Sequence, residues 1–99
     1  MKVIDRNIDK IIALCADHSV SRLFVFGSIL TEKFKKTSDI DMLVEFSEVD
    51  LYHYADNYFN FKAAMESLLK RPVDLLEDKA IRNPYLRESI DSSKYLIYG

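Results

Sequence analysis

The sequence predicts an α/β (α+β) fold in which a small mixed β-sheet is flanked by helices. Apolar residues recur at helical spacing in several stretches, and short apolar runs alternate with those stretches along the chain. The length of 99 residues predicts one domain, spanning 1–99, which can bury roughly two thirds of its unfolded surface. Hydrophobic residues make up 48% of the chain and charged residues 30%, which excludes disordered and fibrous classes.

The first half of the chain predicts a helix, a strand, a short helix and a second strand. A helix over about residues 5–18 is indicated by apolar residues on one face, namely Ile4, Ile8, Ile11, Ile12 and Cys15. The apolar run 23–26 predicts a buried strand. A short helix is expected to begin at Ser28, and a further strand should start at Asp39 and end near Phe46.

The second half predicts a long helix, a strand, another helix and a closing strand. Apolar and aromatic residues repeat at helical spacing from 51 to 69, which predicts a long helix. The apolar run around Asp74 predicts a short strand beside the earlier ones. Asn83-Pro84 marks a turn or a helix start, and residues 95–98 are expected to form a short strand.

Gly27 is the only interior glycine, and it stands directly before Ser28 at the end of the predicted strand 23–26. Glycine allows a sharp turn at a strand end, because it has no side chain in the way. Average usage would give roughly seven glycines in a chain of this length, so the position of this one indicates a local backbone demand. The Gly-Ser pair therefore predicts a phosphate-binding turn that opens a helix, whose N–H groups would face the phosphate.

Ser28 is followed by a spacer of ten residues and then by two aspartates, Asp39 and Asp41. Residues two apart in a strand point to the same face, so the two carboxylates should lie side by side at roughly 6.5 Å. Their repulsion at that separation amounts to about 0.6 kcal/mol in bulk water and about 2.5 kcal/mol at an effective dielectric near 20. A cation bound between the two carboxylates would turn this repulsion into a net attraction. Carboxylate oxygens are ligands that suit Mg²⁺. The alternative is an acid-rich strand edge without a ligand.

A third carboxylate, Asp74, lies within an apolar run that predicts a neighbouring strand. Asp74 can therefore adjoin Asp39 and Asp41. Three aspartates that face a phosphate-binding turn form the kind of site required for two-metal phosphoryl or nucleotidyl transfer.

These segments together resemble the minimal nucleotidyltransferases of the DNA polymerase β superfamily. The resemblance rests on Phe26-Gly27-Ser28, the ten-residue spacer, the segment 38–44 and the segment 72–76, and it spans nearly the whole chain. It implies the polymerase β palm-like fold. It also implies that Asp39 and Asp41 bind Mg²⁺ together with a nucleoside triphosphate.

The same resemblance implies roles for the other site residues. Asp74 would complete the metal site and assist the acceptor hydroxyl, whereas Gly27 and Ser28 would contact phosphate. ATP is the implied substrate, and a two-metal Mg²⁺ site is expected. Many relatives carry an arginine or lysine and a glycine shortly after Gly-Ser, but this chain has Ile-Leu-Thr-Glu at 29–32. Lys33, together with Lys35 and Lys36 of the same spacer, is the candidate replacement for that cation, and the alternative is that this lysine-rich loop is simply solvated.

The resemblance also implies a partner. Minimal nucleotidyltransferases are often antitoxins paired with a helical HEPN ribonuclease toxin, and some inactivate that toxin by transferring AMP to a tyrosine. The predicted sheet and helices use nearly the whole chain, which favours a macromolecular acceptor that brings its own surface. We therefore expect an AMP-transferring antitoxin with a HEPN-type toxin as partner. The sequence leaves open whether the chain forms a homo-oligomer.

Two other functions stay open at this point. A catalytically weak or inactive antitoxin could neutralise its partner by complex formation alone, since the usual cation after Gly-Ser is absent. A nucleotide-sensing domain without an acceptor is the other alternative.

The net charge and the distribution of apolar residues argue against nucleic-acid-binding, membrane and secreted proteins. The net charge of −2 gives no electrostatic case for bulk nucleic-acid binding. The longest apolar stretch, 11–16, is far too short to span a membrane, and acidic residues near the N-terminus argue against a secretory signal. We therefore expect no membrane association and a cytoplasmic location.

Three further residues have an expected place in the fold. The single cysteine, Cys15, is expected to pack in the core. Tyr52 and Phe59 are candidates for a partner surface.

Overall fold

The computed structural model describes all residues 1–99, which form four α-helices and four β-strands. The helices are α1 (Lys2–Arg6), α2 (Ile8–Asp17), α3 (Tyr54–Leu69) and α4 (Pro84–Ser93). The strands are β1 (Val20–Phe26), β2 (Ile40–Phe46), β3 (Val73–Glu77) and β4 (Tyr95–Tyr98). Short 3₁₀ helices cover Gly27–Leu30, Leu51–His53 and Asp78–Ala80. The predicted fold class is confirmed.

The four strands form one mixed sheet in the order β3-β2-β1-β4. Strand β1 runs antiparallel to both β2 and β4, whereas β2 and β3 are parallel. The parallel pair is joined by α3, as a βαβ crossover requires. Its register places Asp41 opposite Asp74, and the antiparallel register places Asp41 opposite Phe26. Phe26, Asp41 and Asp74 are thus neighbours on three adjacent strands, and all three belong to the segments that the sequence analysis singled out.

The main core lies between one face of the sheet and helices α1, α2 and α3. Fifteen buried residues form it, among them Ile4, Ile11 and Cys15 from the first two helices and Phe61 and Met65 from α3. Burial raises the pKa of the Cys15 thiol to about 12, which leaves it protonated and unreactive. The prediction that Cys15 packs in the core is confirmed.

Helix α4 packs on the other face of the sheet. A smaller buried cluster there joins Phe24, Leu43 and Ile90. Asp41 precedes Leu43 by two residues, and strand alternation therefore turns the Asp41 side chain toward this second face. Asp74 is its register partner and lies on the same face. The carboxylates thus lie on the sheet face that carries the smaller cluster.

The outer edge of β3 is closed by side chains of α3. The Tyr58 hydroxyl donates to the carbonyl oxygen of Leu75 at 2.5 Å. The backbone N–H of Val73 donates to Oε2 of Glu66 at 2.9 Å. Both backbone groups would otherwise be unpaired at the sheet edge, where another strand could pair with them. The side-chain hydrogen bonds from α3 thus prevent unwanted strand pairing at this edge.

Several predicted boundaries differ in the structure. The expected helix 5–18 is two helices separated at Asn7, whose side chain donates to the carbonyl oxygen of Val3 at 2.7 Å and so competes with the helical backbone. The predicted long helix starts with a 3₁₀ turn and becomes α-helical at Tyr54. The helix start at Asn83-Pro84 is confirmed, because Asn83 Oδ1 accepts from two backbone N–H groups. None of the helices combines the length and apolar character needed to cross a membrane.

Candidate active site

The turn at Gly27 is fixed by both its backbone angles and its contact with Asp41. Its φ angle is +76°, a conformation that residues with side chains rarely adopt. A Cβ atom at Gly27 would overlap Oδ2 of Asp41 and would lie 3.3 Å from its Cγ. Asp41 thus occupies the space that a side chain would need. The absence of a side chain at Gly27 lets the carboxylate approach the turn, and this explains the local demand inferred from sequence.

Ser28 lies in the 3₁₀ helix Gly27–Leu30 and is half-buried. Its carbonyl oxygen accepts from the backbone N–H of Thr31 at 2.9 Å and from the Thr31 hydroxyl at 2.8 Å. The predicted short helix is therefore present, but it is a single tight turn. A turn this short carries little of the dipole expected of an α-helix, so its N–H donors and hydroxyl would have to provide any contact with phosphate.

The three predicted aspartates come from two strands and the loop before them. Asp39 lies one residue before β2 and is exposed, whereas Asp41 lies within β2 and is half-buried. Asp74 lies in β3 and is exposed. Asp41 and Asp74 are direct register partners, which places their Cα atoms about 5 Å apart. The prediction that Asp39 stands inside the strand is wrong by one residue.

The electrostatics of these carboxylates are coupled. The pKa of Asp41 is raised above its ordinary value, mainly because burial removes water from the carboxylate. The charge of Asp74 raises this pKa further, and the charge of Asp39 contributes in the same direction. All three carboxylates therefore contribute to one electrostatic site, in which charge repulsion opposes full ionisation.

The donor chemistry suits a hard divalent cation. Carboxylate oxygens are the ligands that Mg²⁺ takes, and a cation would remove the repulsion felt by Asp41. However, no group of three or more His, Cys, Asp or Glu side chains is arranged to hold a metal ion. The three aspartates thus have the donor atoms, the charge and the proximity that Mg²⁺ binding requires. Their side chains are not arranged as a complete set of metal ligands in this structure.

Arg71 holds the loop that leads to Asp39, a role that the sequence did not indicate. Its Nη1 donates to the carbonyl oxygens of Lys35 and Ser38, both at 3.0 Å. Its guanidinium group lies over the Phe34 ring, 4.6 Å from the centroid. These contacts tie the start of β3 to the segment immediately before β2. Arg71 is therefore a positioning residue for the first aspartate.

Replacing Arg71 with methionine should loosen this loop. The side chain would keep much of its apolar stem but lose two charge-assisted hydrogen bonds, so the free energy of unfolding should fall by about 1 to 2 kcal/mol. Hydrogen exchange should rise over residues 31–38. Urea denaturation and exchange mass spectrometry measure both effects. Arg82→Met, at an exposed arginine outside this loop, is the control, and equal effects of the two substitutions would contradict the role of Arg71.

The predicted cation Lys33 is exposed and forms no ion pair with the aspartates. Its backbone N–H donates to the hydroxyl of Thr31 at 3.2 Å, which places Lys33 in the turn after the 3₁₀ helix. The role of its ammonium group in phosphate binding stays a prediction.

The aspartates lie on an open surface. None of the four cavities of the molecule is lined by Asp39, Asp41 or Asp74. A nucleotide and an acceptor would therefore meet on a face that is open to a large partner. Tyr52 and Phe59 are exposed by 87% and 63%, which confirms that they point outward.

Comparison with known protein families shows which family this chain resembles. The profile described as "Polymerase beta, Nucleotidyltransferase" matches residues 9–99. The chain belongs to this nucleotidyltransferase family. It is 35% identical over 81 residues to "Putative protein adenylyltransferase MJ1379" of Methanocaldococcus jannaschii, a match that covers 82% of this chain and 78% of that protein.

Solved structures show the same fold. This nucleotidyltransferase superposes with a TM-score of 0.78 on a structure described as a "putative minimal nucleotidyltransferase", at 29% identity, covering 95% of this chain and 92% of the other. It also superposes with a TM-score of 0.66 on a chain of a Shewanella oneidensis complex between a tri-AMPylated HEPN toxin and an MNT antitoxin. That match has 21% identity and covers 96% of this chain and 71% of the other.

Replacing Asp41 with asparagine should stabilise this nucleotidyltransferase at neutral pH in the absence of divalent cations. Folding raises the pKa of Asp41, so its stabilising contribution is complete below the ordinary pKa of 3.8 and is lost as pH rises through the folded-state value. At pH 7 the neutral amide should raise the free energy of unfolding by about 0.5 to 1 kcal/mol, because it removes a charge that burial desolvates and that Asp74 and Asp39 repel.

Urea denaturation at pH 7 and pH 3 measures this difference, which should vanish at the lower pH. Millimolar Mg²⁺ should reduce or reverse it. Asp56→Asn, in the first turn of α3, is the control and should not stabilise, because an acidic residue is favourable at a helix N-terminus. A parent that is as stable as Asp41→Asn at pH 7 would contradict the coupling between the carboxylates.

Proposed function

We propose that residues 1–99 act as a single minimal domain that transfers AMP from ATP to a hydroxyl group of a macromolecular acceptor, in a Mg²⁺-dependent reaction. The observation that supports this best is the juxtaposition of the Gly27 turn with Asp41 and Asp74. The side chain of Asp41 fills the space beside Gly27, and Asp74 is its neighbour in the sheet. A phosphate on the turn would therefore lie beside two carboxylates.

In this proposal Asp39 and Asp41 hold the Mg²⁺ with the triphosphate, and Asp74 completes the site. Bound Mg²⁺ would supply charge stabilisation for the attacking and leaving oxygens. The backbone N–H groups and hydroxyl of the Gly27-Ser28 turn orient the phosphates. Asp74, which is exposed, accepts the proton of the acceptor hydroxyl. The acceptor oxygen forms a bond to the α-phosphorus, the bond to the β-phosphate oxygen breaks, and pyrophosphate leaves.

We propose a tyrosine of a HEPN-type toxin as the acceptor, which makes this chain an antitoxin. The Shewanella complex that shares the fold contains a HEPN toxin that carries AMP. The open surface around the aspartates supports an acceptor that brings its own structure, since a small molecule would find no enclosed pocket there. The exposed Tyr52 and Phe59 belong to α3 and the turn before it, on the other side of the sheet from the carboxylates, so the apolar contacts they offer would be separate from the acceptor site.

A second function, neutralisation of the partner by binding alone, is favoured by two features of the site. The turn lacks the cation that follows Gly-Ser in many relatives, and the carboxylates do not form a set of metal ligands. An antitoxin with a weak or inactive site would neutralise its partner by covering it, and the Asp41 carboxylate would then be dispensable for neutralisation.

One experiment separates these functions. The chain is incubated with Mg²⁺ and a HEPN-type toxin, once with ATP labelled at the α-phosphate and once with ATP labelled at the γ-phosphate. The proposal expects covalent label on the partner from the α-labelled nucleotide only, together with a mass increase of one AMP for each modified residue. Neutralisation without label would exclude the transferase and support the binding module. Label from the γ-phosphate would contradict AMP transfer.

A further inference from the structure

A basic cavity that none of the three aspartates lines is situated between the N-terminal helix and the loop before β2. Its volume is about 380 Å³. Residues of α1, the segment 31–36 and the turn before β3 line it, and Ile29 and Phe34 provide part of an apolar floor. Ile29 belongs to the core on the helical side of the sheet, so this cavity opens on the side opposite to Asp41 and Asp74.

The charge of this cavity is strongly one-sided. Only one acidic residue, Glu32, lines it, whereas the chain as a whole carries a net charge of −2. Its positively charged residues are Lys2, Arg6, Lys35, Lys36 and Arg71. None of these five forms an ion pair, because all ion pairs of the molecule involve Arg22, His53, Arg87 or Lys94. The cavity is therefore lined by five positively charged side chains that form no ion pair, against one acidic side chain.

One of the cations is held in a fixed position. Arg71 is half-buried, donates to two loop carbonyl oxygens and stacks on Phe34. A solvated surface lysine loses side-chain entropy when it binds an anion, whereas Arg71 has already lost most of its freedom. The exposed Lys35 and Lys36 stand on the loop that Arg71 holds. The site thus combines a rigid guanidinium group with mobile ammonium groups.

We infer that this cavity binds an anion that carries several adjacent phosphate groups, such as inorganic tripolyphosphate or the polyphosphate of a nucleotide. Because five positively charged residues line one cavity, their fields add there. A single carboxylate would neutralise one of them, whereas adjacent phosphates bring three to four charges into the same space. The volume suits a small ligand and excludes a nucleic-acid duplex. The inference is independent of the proposed AMP transfer.

Binding is measured by titrating the ¹⁵N-labelled chain with sodium tripolyphosphate in the absence of divalent cations. A second titration uses ATP under the same conditions. The amide signals of Lys35, Lys36 and Arg71 should shift with a saturable dependence in both titrations, whereas any shift at Gly27 and Ser28 would report phosphate binding at the turn of the proposed active site. Shifts confined to Gly27 and Ser28, or no saturable shift at millimolar tripolyphosphate, would overturn the inference. Saturation by tripolyphosphate and ATP alike supports recognition of the phosphates, and saturation by ATP alone overturns it.

Charge reversal provides the matched comparison. Lys35→Glu/Lys36→Glu should weaken tripolyphosphate binding by about tenfold or more. Lys10→Glu/Arg82→Glu changes the net charge equally at exposed residues outside the cavity and should leave affinity within about twofold. Equal weakening by both variants would show nonspecific attraction and overturn the site. Tighter binding of a poly-glutamate peptide or of an RNA oligonucleotide than of tripolyphosphate would assign the cavity to another ligand and overturn the inference as well.

Discussion

Replacing Asp41 with asparagine should reduce AMP transfer by about a thousandfold or more, while the chain stays folded. The amide keeps the size of the carboxylate but loses the charge that would bind Mg²⁺ beside the phosphate turn. The substitution also removes a repelled charge, so instability cannot explain the loss of activity. Rates of label transfer from α-labelled ATP measure the effect.

Asp39→Asn should produce a similar loss, because the resemblance assigns both side chains to the same metal. The control is Asp56→Asn, which removes an exposed carboxylate from α3 and should transfer AMP at the parental rate. If Asp41→Asn labels the partner as fast as the parent, the proposed metal site is wrong. If Asp41→Asn neither labels nor neutralises, chemistry is required for the antitoxin role.

Replacing Gly27 with alanine should have the second-largest effect. Ser19 and Lys70 already adopt φ angles of 59° and 57°, so the fold tolerates side chains at positive φ, and the backbone strain at Gly27 should cost only about 1 to 2 kcal/mol. The contact with Asp41 decides the outcome, because the new methyl group would overlap the carboxylate. Displacement of Asp41 by about 1 Å should lower the transfer rate by about a hundredfold.

A double-mutant cycle separates strain from the clash. Gly27→Ala is measured in the parent and in an Asp41→Ala background, where the carboxylate is absent. Its destabilisation, determined by urea denaturation, should be smaller in the second background, since only the backbone strain remains. Equal destabilisation in both backgrounds would show that Asp41 does not occupy the space beside Gly27.

Sequence reasoning predicted the fold class and the neighbourhood of the aspartates, because alternating strands leave few ways to arrange Asp41 and Asp74. Strand periodicity left the adjacency of Asp74 as one possibility, and the resemblance to minimal nucleotidyltransferases supported it. The break at Asn7 was missed because apolar spacing continues across it, and the side-chain hydrogen bond that ends the first helix leaves no periodic signal.

The role of Arg71 could not be predicted for a related reason. Its partners are carbonyl oxygens of residues more than thirty positions away in the chain, and every residue has a carbonyl. A sequence shows which side chains can donate hydrogen bonds, but only the fold shows which acceptors they reach. The basic cavity likewise depends on segments that are distant in sequence: the lysines at 35 and 36 are visible as a local run of charge, but their proximity to Lys2, Arg6 and Arg71 is not.

The side-chain hydrogen bonds from α3 to Val73 and Leu75 restrict how a substrate can arrive. A polypeptide cannot extend the sheet beside Asp74, because the backbone groups it would need there are already engaged by Tyr58 and Glu66. In the proposed reaction, the acceptor tyrosine would therefore reach the carboxylates end-on, projecting from a partner that keeps its own secondary structure. A helical or loop-borne residue meets that requirement, whereas an unfolded segment gains no docking strand.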